Sequence, residues 1–273
     1  MLPNFAIGQL RETLQRLAIA LPDETVPILQ ALSIQVFEEL ASTNQTLWQA
    51  MEQGAREGAV AIALRQSAGR GQWGRSWQSG LGGLYLSLYL TPNLAADQSG
   101  QLTLCSAWGV ATMLRQQGIP VRLKWCNDLI LQGQKLGGIL TETRVRGDRI
   151  HQAVVGIGVN WRNTVPPPGI TLQQAGVAEA IATLEDLAAI VLVGLALGYG
   201  QWKHRGIDSI RPAYEGYLTG MGRILEIEGQ SGKIIGVSSN GQLRLQLLHP
   251  DSQPPQILEL PPGAISLGYP ALD

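Results

Sequence analysis

The chain has 273 residues, room for one large domain and a small one. Apolar residues make up 45% and charged residues 15%, which supplies a sizeable core and excludes intrinsic disorder. A formal net charge of -1 excludes a global field that would recruit nucleic acid or an acidic membrane; a local basic site stays open.

The two cysteines, Cys105 and Cys126, form no CxxC pair and no disulfide framework, so a reducing, cytoplasmic setting is expected. His151, His204 and His249 are scattered, and no spacing resembles a metal cage, so no protein-held metal is expected. Arg11, Glu12 and Arg16 interrupt the apolar N-terminal stretch, which is therefore not a signal-peptide core. The most apolar run, Leu187 to Tyr199, is shorter than the roughly 20 residues a bilayer span needs and reads as a buried helix.

In chain order, Leu10, Leu14, Leu17 and Leu21 recur at helical spacing, and Pro22 to Pro27 ends that helix. Ile34 to Phe37 reads as a strand. Ser42-Thr43-Asn44 is an N-cap cluster for a helix running to about Arg56. Val60 to Leu64 reads as a buried strand, Gly69 to Gly83 as a long loop, and Leu84 to Leu90 as a strand. Leu104, Trp108, Ala111 and Leu114 mark a helix. Strands follow at Val121 to Trp125, Leu129 to Leu131 and Leu136 to Thr143, with a turn over Gln132-Gly133-Gln134 between the last two. Arg146-Gly147-Asp148 turns the chain into a strand from His151 to Val159. Pro166-Pro167-Pro168 is surface loop, and helices cover Thr183 to Lys203 and Ile207 to Leu218. After Thr219 short apolar runs alternate with turn signals at Gly229, Gly232, Asn240-Gly241, Pro254-Pro255 and Pro261-Pro262. The pattern divides the chain into an N-terminal helical extension (1–33), a large α+β domain (34–219) and a small β-barrel (220–273).

Four segments can carry chemistry. Gly69-Arg70-Gly71-Gln72-Trp73-Gly74-Arg75-Ser76-Trp77 offers backbone N–H groups and two guanidinium groups to an anion. It is no Walker or GxGxxG fingerprint, and it equally fits a basic surface loop whose tryptophans stack on single-stranded nucleic acid. Lys124-Trp125-Cys126-Asn127-Asp128 and Lys135-Leu136-Gly137-Gly138-Ile139-Leu140 hold two of the chain's four lysines. A hairpin between them sets both lysines and a carboxylate on one wall, unless Asn127-Asp128 is merely a turn. Gly156 and Gly158 inside an apolar strand mark either the floor of a ligand site, with Asn160 at its end, or close helix–sheet packing. Ser42-Thr43-Asn44 is explained by helix capping alone.

Taken together and in this order, these segments resemble the biotin–protein ligase family. The elements that carry the resemblance are Ser42-Thr43-Asn44, Gln66 with the Gly69–Trp77 loop, Leu84-Tyr85-Leu86-Ser87, Lys124-Trp125-x-Asn127-Asp128 with Lys135-x-x-Gly138-Ile139-Leu140, and Gly156-Ile157-Gly158-Val159-Asn160. Gly236-Val237 to Gly241-x-Leu243 and Gly263-x-Ile265-Ser266-Leu267 look like the family's C-terminal barrel. The resemblance implies an α+β fold, a mixed β-sheet backed by helices like that of class II aminoacyl-tRNA synthetases. It implies that 34–219 binds biotin and ATP, and that MgATP and biotin give biotinyl-5′-adenylate. The biotinyl group then passes to a lysine of a biotin carboxyl carrier protein.

Matched motif to motif, Lys135, Arg70 and Asp128 are the implied catalytic groups. Ser42, Thr43, Asn44, Gln66, Gly69, Arg70, Gly71, Gln72, Trp77, Lys135 and Gly138 are implied to bind biotin. Arg70, Arg75, Lys124, Asn127 and Asn160 are implied to face the nucleotide. Three positions depart from the family pattern. Gln72 stands where arginine is common, Cys126 where proline is usual, and Gly169 where related proteins often have tryptophan. The first lowers the loop's charge and its hold on the adenylate, the second loosens the turn, and the last leaves an adenine-stacking contact absent or supplied from elsewhere in the chain. Some relatives carry a DNA-binding helix-turn-helix, but the residues before Ser42 hold one clear helix and no basic recognition helix, so DNA is not an expected partner. Sheet edges often pair in this family, which leaves a homodimer open. Two rival readings remain: a lipoate or octanoate ligase of the same fold, which favours a histidine near its glycine-rich run, and a non-catalytic module that holds biotin or a nucleotide.

Overall fold

The computed structural model describes residues 5–177, 179, 181–227, 229–248 and 256–269. Helix α1 (Ile7–Ala18) stops before Leu21, and the expected break holds a 3-10 turn (Asp23–Thr25) and leads into the short helix α2 (Val26–Gln30). Pro27 sits in the first turn of α2, where its missing N–H has no intrahelical partner to lose. Then come β1 (Ser33–Leu40), α3 (Thr43–Glu52), β2 (Ala59–Gln66), β3 (Leu84–Leu90), the two-residue β4 (Leu94–Ala95) and α4 (Gly100–Gln116). Strands β5 (Arg122–Lys124), β6 (Asp128–Leu131), β7 (Gln134–Arg146) and β8 (Arg149–Val159) follow as antiparallel neighbours. The turn between β6 and β7 tightens to Gln132-Gly133, both left-handed with φ of 49° and 73°. The chain continues through α5 (Leu184–Arg205), a 3-10 turn (Ile207–Ser209) and α6 (Arg211–Tyr217). It ends in β9 (Ile224–Ile227), β10 (Gln230–Val237), β11 (Leu243–Leu247) and β12 (Ile257–Leu260).

The main sheet runs β1-β2-β3-β8-β7-β6-β5, with β4 beside β8. It is mixed: β1 and β2 are parallel and the remaining pairs antiparallel. Side chains alternate between its faces with period two. Val60, Ile62, Leu84, Leu86, Leu88, Val155, Ile157 and Val159 point into the large core, which the apolar residues of α4 and α5 complete. The opposite face carries Ala61, Tyr89 and Val154, where Leu47 and Met51 of α3 pack. Gly156 and Gly158 alternate with the core-facing residues of β8, so they lie on the α3 face.

Helices α4 and α5 cross with almost no side chain between them. A Cβ on Gly198 would overlap the Cys105 carbonyl oxygen, and one on Gly109 would overlap the carbonyl of Gly194. Helix α5 extends beyond the apolar run read from the sequence to 22 residues, long and apolar enough to cross a bilayer by length and composition, and it is mostly buried in the molecule. Helix α1 packs on α5 and is tied to its N-terminus: Ala6 N–H donates to Glu185 Oε1 at 2.6 Å, and Thr13 Oγ1 to Asp186 Oδ1 at 2.8 Å. The C-terminal strands form a small antiparallel sheet in the order β12-β11-β10-β9. Among the described residues its outer strands do not pair with each other, so the expected barrel is an open sheet there. Of the expected turns, Pro254-Pro255 lies outside the described residues. The small sheet is fastened to the rest of the fold by Trp125 Nε1, just after β5, donating to the Gly241 carbonyl at 2.9 Å and by Gln101 Nε2 of α4 donating to that of Ser239 at 2.8 Å.

Because the α4–α5 crossing leaves no room for a methyl group, Gly198→Ala is expected to destabilise the fold by about 2 kcal/mol. Urea unfolding of both proteins measures it; an unchanged midpoint would contradict the packing argument.

Candidate active site

A pocket of about 740 Å³ opens on the α3 face of the main sheet. Its floor depends on the absence of two side chains. A Cβ on Gly156 would overlap Asn44 Oδ1, and one on Gly158 would overlap the indole nitrogen of Trp77. The two glycines therefore let α3 and the glycine–arginine loop reach the sheet.

Ser42 stands at the N-cap position of α3, but its side chain makes no capping bond. Capping alone therefore does not explain the Ser-Thr-Asn cluster. Gln66 at the end of β2 satisfies the helix start instead, its Oε1 accepting the Thr43 N–H at 2.8 Å. Gln66 Nε2 donates to Ser79 Oγ at 2.8 Å, which holds the return of the loop. Ser42 and Thr43 are both buried and line the pocket.

The Gly69–Trp77 loop folds back on itself through Gly71 N–H to the Arg75 carbonyl (2.7 Å) and Trp77 N–H to that of Gly69 (2.9 Å). Gly69 has no space for a side chain, since a Cβ there would lie 2.5 Å from Ser79 Oγ and from the Trp77 carbonyl. Arg70 and Arg75 are exposed on the rim and make no ion pair among the described residues; Arg70 reaches Gln45 Oε1 at 3.4 Å. Trp73 at the tip is 68% exposed with φ of 59°, and its ring packs on the backbone of Gly263.

The wall opposite is the β5–β6–β7 meander. Its register sets Asp128 beside Lys124 on one side and Gly138 on the other. Lys135 Nζ lies 2.7 Å from Asp128 Oδ1, and Lys124 Nζ lies 3.5 Å from Oδ2. Both lysines and the carboxylate thus share one wall, as the hairpin reading expects. Gly138 fits beneath the pair: a Cβ there would be 3.5 Å from Lys135 Cε and 3.7 Å from Asp128 Oδ1. Burial pushes the Lys124 ammonium below its usual range, and the neighbouring Asp128 carboxylate opposes that shift. The Lys135 backbone is pinned by the proline loop: its N–H donates to the Pro168 carbonyl, and its own carbonyl accepts the Ile170 N–H, both at 2.9 Å.

The structure brings every site residue expected from the sequence to this pocket, with Gly69 buried just behind the loop. Several have their polar atoms engaged within the protein. Asn127 Nδ2 donates to the Ile139 carbonyl at 2.8 Å. Asn160 Nδ2 reaches the Lys135 carbonyl at 3.3 Å, while its Oδ1 accepts from Asn163 at 3.2 Å. The Asn44 amide faces the sheet. The two departures Gln72 and Cys126 face each other, Nε2 to Sγ at 3.9 Å.

Sequence reading missed Tyr269. Its hydroxyl donates to Asp128 Oδ2 at 2.8 Å, and its ring lies 3.7 Å from Lys124 Nζ. Burial, then the Asp128 charge, raises the pKa of its phenol, which keeps it a donor. The flanking Gly263–Leu267 segment was legible as a motif but reads as barrel, not as pocket wall; here it lines the pocket.

Comparison with known proteins places this geometry. A sequence profile of the "Biotin/lipoate A/B protein ligase family" matches residues 36–160. The "Bifunctional ligase/repressor BirA" of Bacillus subtilis strain 168 is 32% identical over 219 residues, covering 76% of this chain and 67% of the relative. The chain belongs to the biotin/lipoate A/B protein ligase family. It spans only 47% of the length of the Escherichia coli K12 protein of the same name, to which it is 37% identical over 153 residues. Among solved structures, a "Biotin protein ligase from Aquifex aeolicus in complex with biotin and ATP" superposes with a TM-score of 0.63 at 27% identity, covering 84% of this chain and 95% of that one. The family fold thus extends beyond the matched segment to most of the chain.

Both thiols are buried in this ligase-family fold. Burial pushes Cys126 up to about 11 and Cys105 up to about 12. A thiol whose pKa is raised by folding favours the native state at low pH. That contribution is intact below the ordinary thiol range and is lost as pH climbs toward 11 and 12. Iodoacetamide at pH 8 is therefore expected to leave both cysteines unmodified in the native protein and to alkylate both in denaturant. Mass spectrometry reads the result; fast native alkylation of Cys126 would contradict its burial.

Proposed function

We propose that this chain is a biotin–protein ligase that makes biotinyl-5′-adenylate from biotin and ATP and transfers the biotinyl group to a lysine of a biotin carboxyl carrier protein. The observation that carries the reading is the Lys124–Asp128–Lys135 wall facing the glycine–arginine loop across a glycine floor, in a chain of this family. Related proteins named "Biotin--[acetyl-CoA-carboxylase] ligase" from Paracoccus denitrificans and Mycobacterium tuberculosis support the substrate and the acceptor class.

In the first half-reaction a biotin carboxylate oxygen attacks the α-phosphorus of ATP and pyrophosphate leaves. Ser42, Thr43, Asn44 and Gln66 form the end of the pocket that takes the ureido ring, with Trp77 over the glycine floor. Arg70 and the amides of Gly69 and Gly71 close over the carboxylate and α-phosphate, the Gly71 N–H exchanging its bond to the Arg75 carbonyl for the anion, with Gln72 beside them. Lys135 stabilises charge on the acyl and phosphoryl oxygens. Arg75 and Lys124 face the phosphates, and Asn127 and Asn160 hold the strand backbones that form the nucleotide side. Arg70 and Arg75 are exposed and free of carboxylates among the described residues, which suits loop closure over an anion.

Mg2+ enters with the nucleotide. Asp128 is the one carboxylate lining the pocket among the described residues, and its oxygens already bond Lys135, Lys124 and Tyr269, leaving one of about four acceptor sites. A single engaged carboxylate fits a phosphate-borne Mg2+ and no protein-built cage.

In the second half-reaction the acceptor amine attacks the acyl carbon and AMP leaves. Asp128 accepts a hydrogen bond from the incoming amine and orients it. The lipoate reading receives no support from the pocket, whose described lining holds no histidine.

Lys135→Ala is expected to lower the rate of adenylate formation by on the order of 10²–10³ with the fold retained. Asp128→Ala should slow single-turnover transfer from preformed adenylate more than it slows adenylation. Quench-flow of the two steps separates them. A wild-type adenylation rate in Lys135→Ala, or equal losses in both steps for Asp128→Ala, would contradict these roles.

A further inference from the structure

A polar chain, half-buried at Glu142 and buried at Asn44, Ser87 and Thr43, runs from β7 to the pocket. Glu142 accepts from Asn44 Nδ2 at 2.9 Å and from Trp48 Nε1 at 3.0 Å through the same oxygen. An ionised carboxylate only accepts, so it fixes which end of the Asn44 amide faces it. The Leu140 carbonyl lies 3.4 Å from the same NH2 group, too far to set the choice without Glu142.

Asn44 Oδ1 is thereby turned toward Ser87, 2.6 Å from its Oγ. Ser87 has one proton, and this contact requires it. Ser87 Oγ is also 2.7 Å from Thr43 Oγ1. With its proton committed, Ser87 can only accept there. Two hydroxyl oxygens 2.7 Å apart need a hydrogen between them, so the Thr43 proton goes to Ser87 in preference to Gln66 Oε1 at 3.2 Å.

Gln66 is fixed by the same logic. Ser79 directs its proton to the Trp77 carbonyl at 3.1 Å, so the end of Gln66 facing Ser79 is the NH2 group, and Oε1 accepts the Thr43 N–H. The Thr43 hydroxyl then has no proton for the pocket. It offers lone pairs only.

We infer that Glu142, acting through Asn44 and Ser87, sets the hydrogen-bonding polarity of Thr43 and so makes this end of the pocket selective for an N–H donor. Glu142, Asn44 and Ser87 are positioning residues in this scheme. The inference rests on the biotin reading, in which the donor is a ureido N–H of the ring. A ligand with an oxygen in place of that N–H would set lone pair against lone pair, and Thr43 could not rotate to relieve it.

The test is isothermal titration calorimetry of biotin and of its two cyclic-carbamate analogues, each with one ureido N–H replaced by a ring oxygen. Titrations use the wild-type chain, Glu142→Met and Glu142→Gln. Wild type should bind one analogue on the order of tenfold or more weakly than biotin. Glu142→Gln should keep that preference, because its amide oxygen can accept the same two N–H groups. Glu142→Met frees Asn44 and Ser87 to turn over and should bring the preference close to unity. A purely structural role would weaken all ligands together and leave the ratio unchanged. The inference is overturned by a wild-type preference that survives in Glu142→Met, or by equal loss in Glu142→Gln and Glu142→Met. Wild type binding biotin and both analogues equally would overturn it without any variant. Absence of biotin binding by the wild type would instead remove the biotin reading itself, and this inference with it.

Discussion

A largely buried carboxylate between two ammonium groups constrains the rest of this molecule. Asp128 is 8% exposed and would be costly there without partners. Lys135, Lys124 and the Tyr269 hydroxyl supply them, from β7, β5 and the C-terminal segment. Three separate parts of the chain must therefore be in place before the charge is satisfied. The hairpin register gives Lys135, the β5–β6 pairing gives Lys124, and docking of the small sheet gives Tyr269. The bonds from Trp125 to Gly241 and from Gln101 to Ser239 hold that docking. The same arrangement that stabilises Asp128 aims it and Lys135 at the space above the glycine floor.

The pocket exists because the main sheet treats its two faces differently. On β8, Val155, Ile157 and Val159 fill the core, while the intervening Gly156 and Gly158 leave room for Asn44 and Trp77. One strand thus serves stability on one side and ligand space on the other. The crossing of α4 and α5 behind the sheet, close at Gly109, Gly194 and Gly198, keeps that strand backed by a dense core.

Much of this was legible in the sequence because it is local. Period-two alternation locates β3 and β8, and the short link between Leu131 and Lys135 already puts Asp128 and Lys135 on one wall. The glycine–arginine loop and the Lys-Trp-x-Asn-Asp segment carry the family by themselves. What was not legible depends on partners far along the chain. Tyr269 lies 141 positions from Asp128, and no local pattern links them. Ser42 reads as a cap by residue type, yet Gln66, from the neighbouring strand, does that work, because β1 and β2 run parallel and end together. The asparagines illustrate the same limit. Composition shows that Asn44, Asn127 and Asn160 can bond a ligand, but only the fold shows their amides turned to Glu142, to the Ile139 carbonyl and to the Lys135 carbonyl.

Adenylation of biotin is the chemistry assigned to this pocket. Biotin-dependent exchange of pyrophosphate into ATP by the purified chain, with lipoate as control, addresses it most directly. Exchange with biotin and none with lipoate is expected. Exchange with lipoate alone, or none with either acid from a folded protein, would contradict it.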